Sequence, residues 1–167
     1  MNEIYQACVD AGSSVCPLYE SSADKVSARV DKLLVALKAQ PVSFYNATTG
    51  EYGILDYSAA KASILESLSA PYRDGATLLS ALAAAEQGEV QPLYDIATGS
   101  TTGSLFECPA TEAPITFASG IENQYSVRCG DTARPPYSLD EFKEIYAEMA
   151  QDSQFFSESW AFNLGCA

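Results

Sequence analysis

The sequence predicts a mainly helical domain that carries one small β-hairpin near residues 42–55. Apolar residues recur at helical spacing in several separate segments. Two short alternating runs, 42–44 and 52–54, flank a loop that ends in Gly50, as in a hairpin. The 167 residues, of which 47% are hydrophobic, are enough for one domain with a buried core. We therefore predict a single domain over residues 1–167.

The clearest helix begins near Ser21 or Ser22 and runs to about Ala39. Its apolar residues share one face, and Pro41 ends the run. A shorter helix-like stretch precedes it at the start of the chain, as if the chain were cut from something longer. The face predicted for the main helix consists of Val26, Val30, Leu33, Leu34 and Leu37.

Three more helical segments are predicted after the hairpin. Each is marked by residues that start or stop helices: an aspartate or serine cap, a following proline, or a left-handed glycine. The segments are residues 57–70 after a cap at Asp56 or Ser58, residues 75–87 before Gly88, and a short turn with Leu93 and Ile96. The buried residues expected on the first two are Tyr57, Ile64, Leu65, Leu68, Leu78, Leu79, Leu82 and Ala85.

Residues 98–114 are rich in Thr, Gly, Ser and Pro and predict a long exposed loop. A helix is expected around residues 117–128, and a well-capped one begins at Ser138. Ser138 and Glu141 form a capping box, with Tyr137 and Phe142 at the positions of a hydrophobic staple. The buried face expected on this last helix is Leu139, Phe142, Ile145, Tyr146 and Met149.

An aromatic tail closes the chain. Four large aromatic residues lie within eight positions: Phe155, Phe156, Trp160 and Phe162. Such a segment is too apolar to remain in water. It either completes the core of this domain or forms an interface with a partner.

The charge balance argues against nucleic acid and anionic membranes as partners. The chain has 9 Lys and Arg against 22 Asp and Glu, a net charge of -13, whereas polyanions are bound by clustered cations. No Lys or Arg occurs from Asp74 to Val127. No apolar run approaches the roughly 20 residues of a membrane span.

The sequence lacks histidine, which excludes Ser-His-Asp and Cys-His catalytic sites within these residues. Two Ser-x-x-Lys matches, Ser22 to Lys25 and Ser58 to Lys61, lie at helix starts, where we expect the serine to cap the helix and the lysine to face solvent. No phosphate loop, calcium loop or dinucleotide motif is present. We therefore predict no enzyme activity in this chain alone, and no cofactor or metal.

The five cysteines indicate disulfides rather than a zinc site, because no Cys-x-x-Cys pair and no histidine are present. Cys8 and Cys16 are close in sequence, and Pro17 favours a turn beside them, so a local bridge is expected. Asn46 begins an Asn-Ala-Thr sequon for N-glycosylation in a predicted surface loop. Together these features predict a secreted glycoprotein.

Several short motifs occur in order along nearly the whole chain. They are residues 8–12 (CVDAG), 16–18 (CPL), 52–56 (YGILD), 87–88 (QG) and 125–131 (YSVRCGD), followed by Phe155, Trp160 and Cys166. In this order they resemble the cap, or lid, domain of secreted α/β-hydrolases related to tripeptidyl aminopeptidases, especially the fungal members. In that family the Gly-x-Ser-x-Gly motif precedes the cap, and the catalytic acid and histidine follow it.

The resemblance implies a lid that gates substrate entry to a catalytic α/β-hydrolase core, its expected partner. A peptide or small-molecule substrate would bind beneath the lid. Acidic residues on a lid's inner face could hold the ammonium group of a peptide, which makes Glu122 and Asp131 candidates. The resemblance also implies a Cys129–Cys166 bridge and leaves Cys108 as the odd thiol. The alternative is a free-standing, secreted, disulfide-stabilised helical binding module or effector.

Overall fold

The computed structural model describes residues 1–98, 126–127, 129–131, 138–153, 155 and 157. They are mainly helical with one two-stranded antiparallel sheet, which confirms the predicted fold class. The chain forms two compact units, residues 1–103 and 104–167; that they act as a single domain stays a prediction. The elements of the first unit are α1 (Asn2–Ala11), α2 (Ala23–Ala39), β1 (Val42–Tyr45), β2 (Tyr52–Leu55), α3 (Tyr57–Leu68), α4 (Pro71–Glu86) and α5 (Gln91–Thr98), and the second contains α6 (Leu139–Asp152).

Helix α2 is the central helix of the first unit and contacts α1, α3 and α4. Its start is fixed by Ser22, whose Oγ accepts a hydrogen bond from the Lys25 N–H at 3.4 Å. The apolar face predicted from its spacing is buried at all five positions. Burial of this face against three helices supplies much of the apolar area that stabilises the unit.

Helix α4 begins earlier than predicted, at Pro71 instead of near Gly75. Proline at the first helical position costs nothing, because that N–H has no partner within the helix in any case. Pro71 therefore starts α4 as well as following α3. The predicted terminator is confirmed, since Gly88 has a φ of 90°. The predicted core residues Leu78, Leu79, Leu82 and Ala85 are all buried.

The buried face of α3 differs from the prediction. Tyr57, Leu65 and Leu68 are only half-buried. Packing against α5 explains part of the difference, because Ser63 is buried where its hydroxyl meets the α5 backbone. The Ser63 hydroxyl donates to the Leu93 carbonyl at 2.6 Å, and the Ser67 hydroxyl donates to the Ser63 carbonyl at 2.9 Å, so both buried hydroxyls are satisfied. The residues buried on α3 are Ala60, Lys61, Ser63, Ile64 and Ser67.

The predicted hairpin is confirmed, with Val42 opposite Leu55 and Tyr45 opposite Tyr52. Its inner face packs on α5, where the Phe44 and Tyr94 rings meet edge to face with centroids 5.1 Å apart. Gly53 lies beneath these two rings: a Cβ there would be 2.8 Å from each. Only glycine fits this position. The opposite face exposes Tyr45, Tyr52 and Ile54.

Helix α6 has the predicted cap, because the Ser138 Oγ accepts from the Glu141 N–H at 3.1 Å. Phe142 is buried and stacks near Tyr146, with ring centroids 6.3 Å apart. The expected burial of Leu139 is wrong, since this residue is 60% exposed. As the first helical residue, it extends back past the end of the helix, where no preceding turn can cover it. The other predicted face residues, Ile145, Tyr146 and Met149, are half-buried.

Other predictions fall largely outside the described residues. These include the loop beyond residue 98, most of the helix at 117–128, Tyr137 of the staple, and Phe156, Trp160 and Phe162 of the aromatic tail. Residues 126–127 and 129–131 are helical. Phe155 is buried, so this member of the tail is covered by protein. Among the described helices, none combines the length and the apolar character needed to cross a bilayer.

Candidate functional site

An apolar groove lies between α1, the N-terminal half of α4 and the loop closed by Cys8 and Cys16. Its volume is about 420 Å³, within the range of small-molecule sites. It exists because both helices present small side chains here, so neither fills the space between them. These small residues are Ala7 and Ala11 on α1, and Gly75 and Ala76 on α4.

The base of the groove is formed where the two helices come close. A Cβ placed on Gly75 would lie 3.8 Å from the Ile4 Cδ1, an ordinary packing distance. Ile4 thus packs over Gly75, while Ala7 and Ala76 beside this contact remain exposed. The groove is therefore open to solvent along one side.

The rim of the groove is apolar with one carboxylate. Tyr72 is fully exposed and Val15 is 73% exposed, and Glu3 on the first turn of α1 is exposed beside them. Arg73 follows the rim residue Tyr72, and its guanidinium pairs with Asp74 at 2.8 Å and lowers the pKa of that carboxyl group. Among the described residues that line the groove, none is a lysine or an arginine.

A disulfide between Cys8 and Cys16 forms one wall, which confirms the predicted local bridge. Gly12, with a φ of 78°, ends α1 and turns the chain back so that the two Cα atoms lie 5.3 Å apart. Both cysteines are buried. The bridge fixes the loop at residues 12–16 against α1 and so preserves the shape of the groove.

The other side of α1 is closed. Tyr5 is only 2% exposed and faces α2, where Ser27 hydrogen-bonds to its side chain. Burial raises the pKa of the Tyr5 phenol, and the negative charge of Asp31 raises it further. Helix α1 thus presents a packed face to α2 and an open face to the groove.

The sequon residue Asn46 lies at the end of the hairpin, as predicted, and its side chain makes hydrogen bonds within the fold. The Asn46 Oδ1 accepts from the Thr48 N–H at 3.0 Å and so closes the turn. The Asn46 Nδ2 donates to Gln91 at 3.1 Å, and the Gln91 amide donates to Glu51 at 2.6 Å. These contacts join the turn to the start of α5. Glycosylation of Asn46 stays a prediction.

A carboxylate on α5 faces this turn. Partial burial raises the pKa of Asp95, and repulsion by Glu51 adds to the effect. Two carboxylates alone do not make a metal site. In the part of the chain that the structure describes, no three His, Cys, Asp or Glu side chains come together as ligands.

The predicted substrate-facing residues do not form a site in the described residues. Glu122 lies outside them, and Asp131 is exposed in the second unit. Cys129 is disulfide-bonded, but Cys108 and Cys166 also lie outside the described residues. The Cys129–Cys166 pairing and the free thiol at Cys108 therefore stay predictions.

The two Ser-x-x-Lys matches differ in the structure. Ser22 caps α2 as predicted, whereas Asp56, not Ser58, caps α3 by accepting from the Ala59 N–H at 2.8 Å. The expectation that Lys61 faces solvent is wrong, because it is only 6% exposed. It lies on the inner side of α3, with Nζ 5.3 Å from the Tyr57 ring centroid, where a cation–π contact stabilises its charge.

No model of a protein family, no curated protein and no solved structure matches the chain.

The groove was missed in the sequence because helical periodicity identifies large buried residues, not the gaps between small ones. A usable signal is present. Alanine or glycine occupies one side of both helices, at residues 7 and 11 of α1 and 75 and 76 of α4. Recognising a groove from these positions requires knowing that Ile4 of α1 meets Gly75 of α4, which the sequence does not reveal.

Proposed function

We propose that this chain is the substrate-gating lid of a secreted α/β-hydrolase and that it has no catalytic role by itself. The proposal depends on the ordered motifs that resemble the cap of tripeptidyl aminopeptidase-like enzymes. One structural observation supports it best. The first of these motifs folds into a disulfide-closed loop that borders an open apolar groove, as expected of a rigid module that meets a substrate or a core.

The chemistry of the groove supports a binding role over a catalytic one. Its polar lining residues, such as Glu3, Tyr72 and Ser80, include no base paired with a nucleophile. The disulfide and the predicted glycan suit an oxidising, extracellular environment. In this proposal, the catalytic core supplies the reactive groups and the present chain restricts what reaches them.

The alternative is a free-standing secreted binding module. One observation favours it: all the residues that line the groove belong to the first unit, so a ligand could bind without a second chain. The native reading frame separates the two proposals. A Gly-x-Ser-x-Gly motif upstream and a histidine downstream would support the lid, whereas a signal peptide and stop codon at the ends of this segment would support the module.

Activity measurements test the non-catalytic role. With tripeptide chromogens that have free amino termini, and with simple esters, the chain alone should give turnover no faster than buffer. A serine-reactive phosphonate should not label it. If the native frame encodes a core, the complete protein is the positive control, and its elbow Ser→Ala variant is the negative control. Stoichiometric labelling of one site in the isolated chain would contradict the proposal.

A further inference from the structure

The α1–α4 groove combines three properties that define a ligand class. Its volume is about 420 Å³, its surface is mainly apolar, and Glu3 supplies the one carboxylate among the described residues that line it. Because small side chains leave the space unfilled, the residues that line it lack van der Waals contacts, and a bound apolar group would supply them. An apolar body of modest size therefore fits the groove better than a polar one.

Electrostatics at the rim select the charge of the ligand. Glu3 is exposed and makes no ion pair with any residue in the described part of the chain. The guanidinium of Arg73 is held by Asp74, and the whole chain carries a net charge of -13. The Glu3 carboxylate would repel a carboxylate or phosphate placed beside it and would attract an ammonium group.

We propose that the groove binds a small apolar amine, with its alkyl or aryl body between α1 and α4 and its ammonium group beside Glu3. The groove belongs to this chain alone, so the inference goes beyond the lid proposal and does not require a catalytic core. Binding to the isolated chain therefore tests the groove, and the native reading frame tests the lid.

The experiment compares three probes that share one body and differ in charge: phenylbutylamine, phenylbutanol and phenylbutyrate. Titration calorimetry on the full chain, near pH 7 and at low salt, should give saturable binding of the amine with a Kd below about 1 mM. The alcohol should bind about threefold more weakly, and the carboxylate more weakly still. The preference for the amine should shrink in about 0.5 M salt.

Two substitutions with matched controls locate the site. Ala76→Leu fills the groove from an exposed helical position and should abolish binding of the amine and the alcohol. Ala28→Leu, at an exposed position on α2, is its control and should bind as wild type. Glu3→Gln should lower the affinity for the amine to that for the alcohol, and it should leave the affinity for the alcohol unchanged. Glu89→Gln makes the same charge change away from the groove and should have little effect.

Three outcomes would overturn the proposal. No saturable binding of the amine below about 1 mM would exclude the groove as a site for this class. Binding that survives both Ala76→Leu and Ala7→Leu would place the ligand elsewhere. Equal or tighter binding of phenylbutyrate, or loss of alcohol binding in Glu3→Gln, would refute the role assigned to the carboxylate.

Discussion

The α3–α5 contact and the α1–α4 groove contain similar small side chains, yet the first is closed and the second is open. On α3, Ala60 and Ser63 are completely buried, and Leu93 of α5 is buried with them. In the groove, Ala7 and Ala76 remain exposed. The difference lies in the opposing element, since α5 supplies a large apolar residue and a hydrogen-bonded backbone, whereas Ala7 and Ala76 face open space beside the contact of Ile4 with Gly75. Small residues therefore form a closely packed contact only where the partner helix fills the remaining space with larger side chains or with its backbone.

Adding the same side chain at both places tests this difference in packing. Ala60→Leu should overpack the closed contact and lower the free energy of unfolding by about 2–3 kcal/mol. Ala76→Leu should change it by less than about 0.5 kcal/mol, because the added atoms enter open space. Urea unfolding followed by circular dichroism measures both. Equal losses would mean that the groove is as tightly packed as the α3–α5 contact.

Removing the Cys8–Cys16 disulfide, which forms one wall of the groove, should have the next largest effect on the free energy of unfolding. Replacing Cys8 and Cys16 together with alanine opens a loop with a sequence separation of 8, and the lost restraint on the unfolded chain should cost about 2.5 kcal/mol. Each single cysteine-to-alanine variant should lose nearly as much, because either one breaks the same bond. If the two single losses instead add up to that of the double variant, the bridge is not the source of the stability.

Burial of Tyr5 on the closed side of α1 should make the free energy of unfolding depend on pH. The pKa of Tyr5 is raised in the folded state, mainly by burial, so the stability linked to its neutral form is complete below the unfolded pKa of about 10. It should fall by about 1.4 kcal/mol per pH unit above that value. Tyr5→Phe should remove this part of the alkaline slope in urea unfolding. Tyr72→Phe, on the exposed groove rim, should retain the wild-type slope; identical slopes in the two variants would refute the assignment.

Sequence patterns predicted the large-residue core well. Spacing of Val26 through Leu37 identified the buried face of α2, and turn chemistry located the hairpin and the Gly88 terminator. The face of α3 was predicted poorly, because hydrophobicity favours Leu65 and Leu68, whereas steric fit against α5 favours serine. Lys61 was missed because a Ser-x-x-Lys pattern records neither the helix face that packs inward nor the Tyr57 ring four residues earlier, which lies 5.3 Å from the Lys61 Nζ.

Gly53 has a consequence for the order of folding. A glycine in the middle of a strand weakens it by roughly 0.5–1 kcal/mol, and an isolated two-stranded hairpin is marginal in water. The lack of a side chain at Gly53 stabilises the structure only after the Phe44 and Tyr94 rings have packed over this position. The hairpin therefore gains its stability from docking, so it should assemble after α5 and be among the first parts of this unit to open.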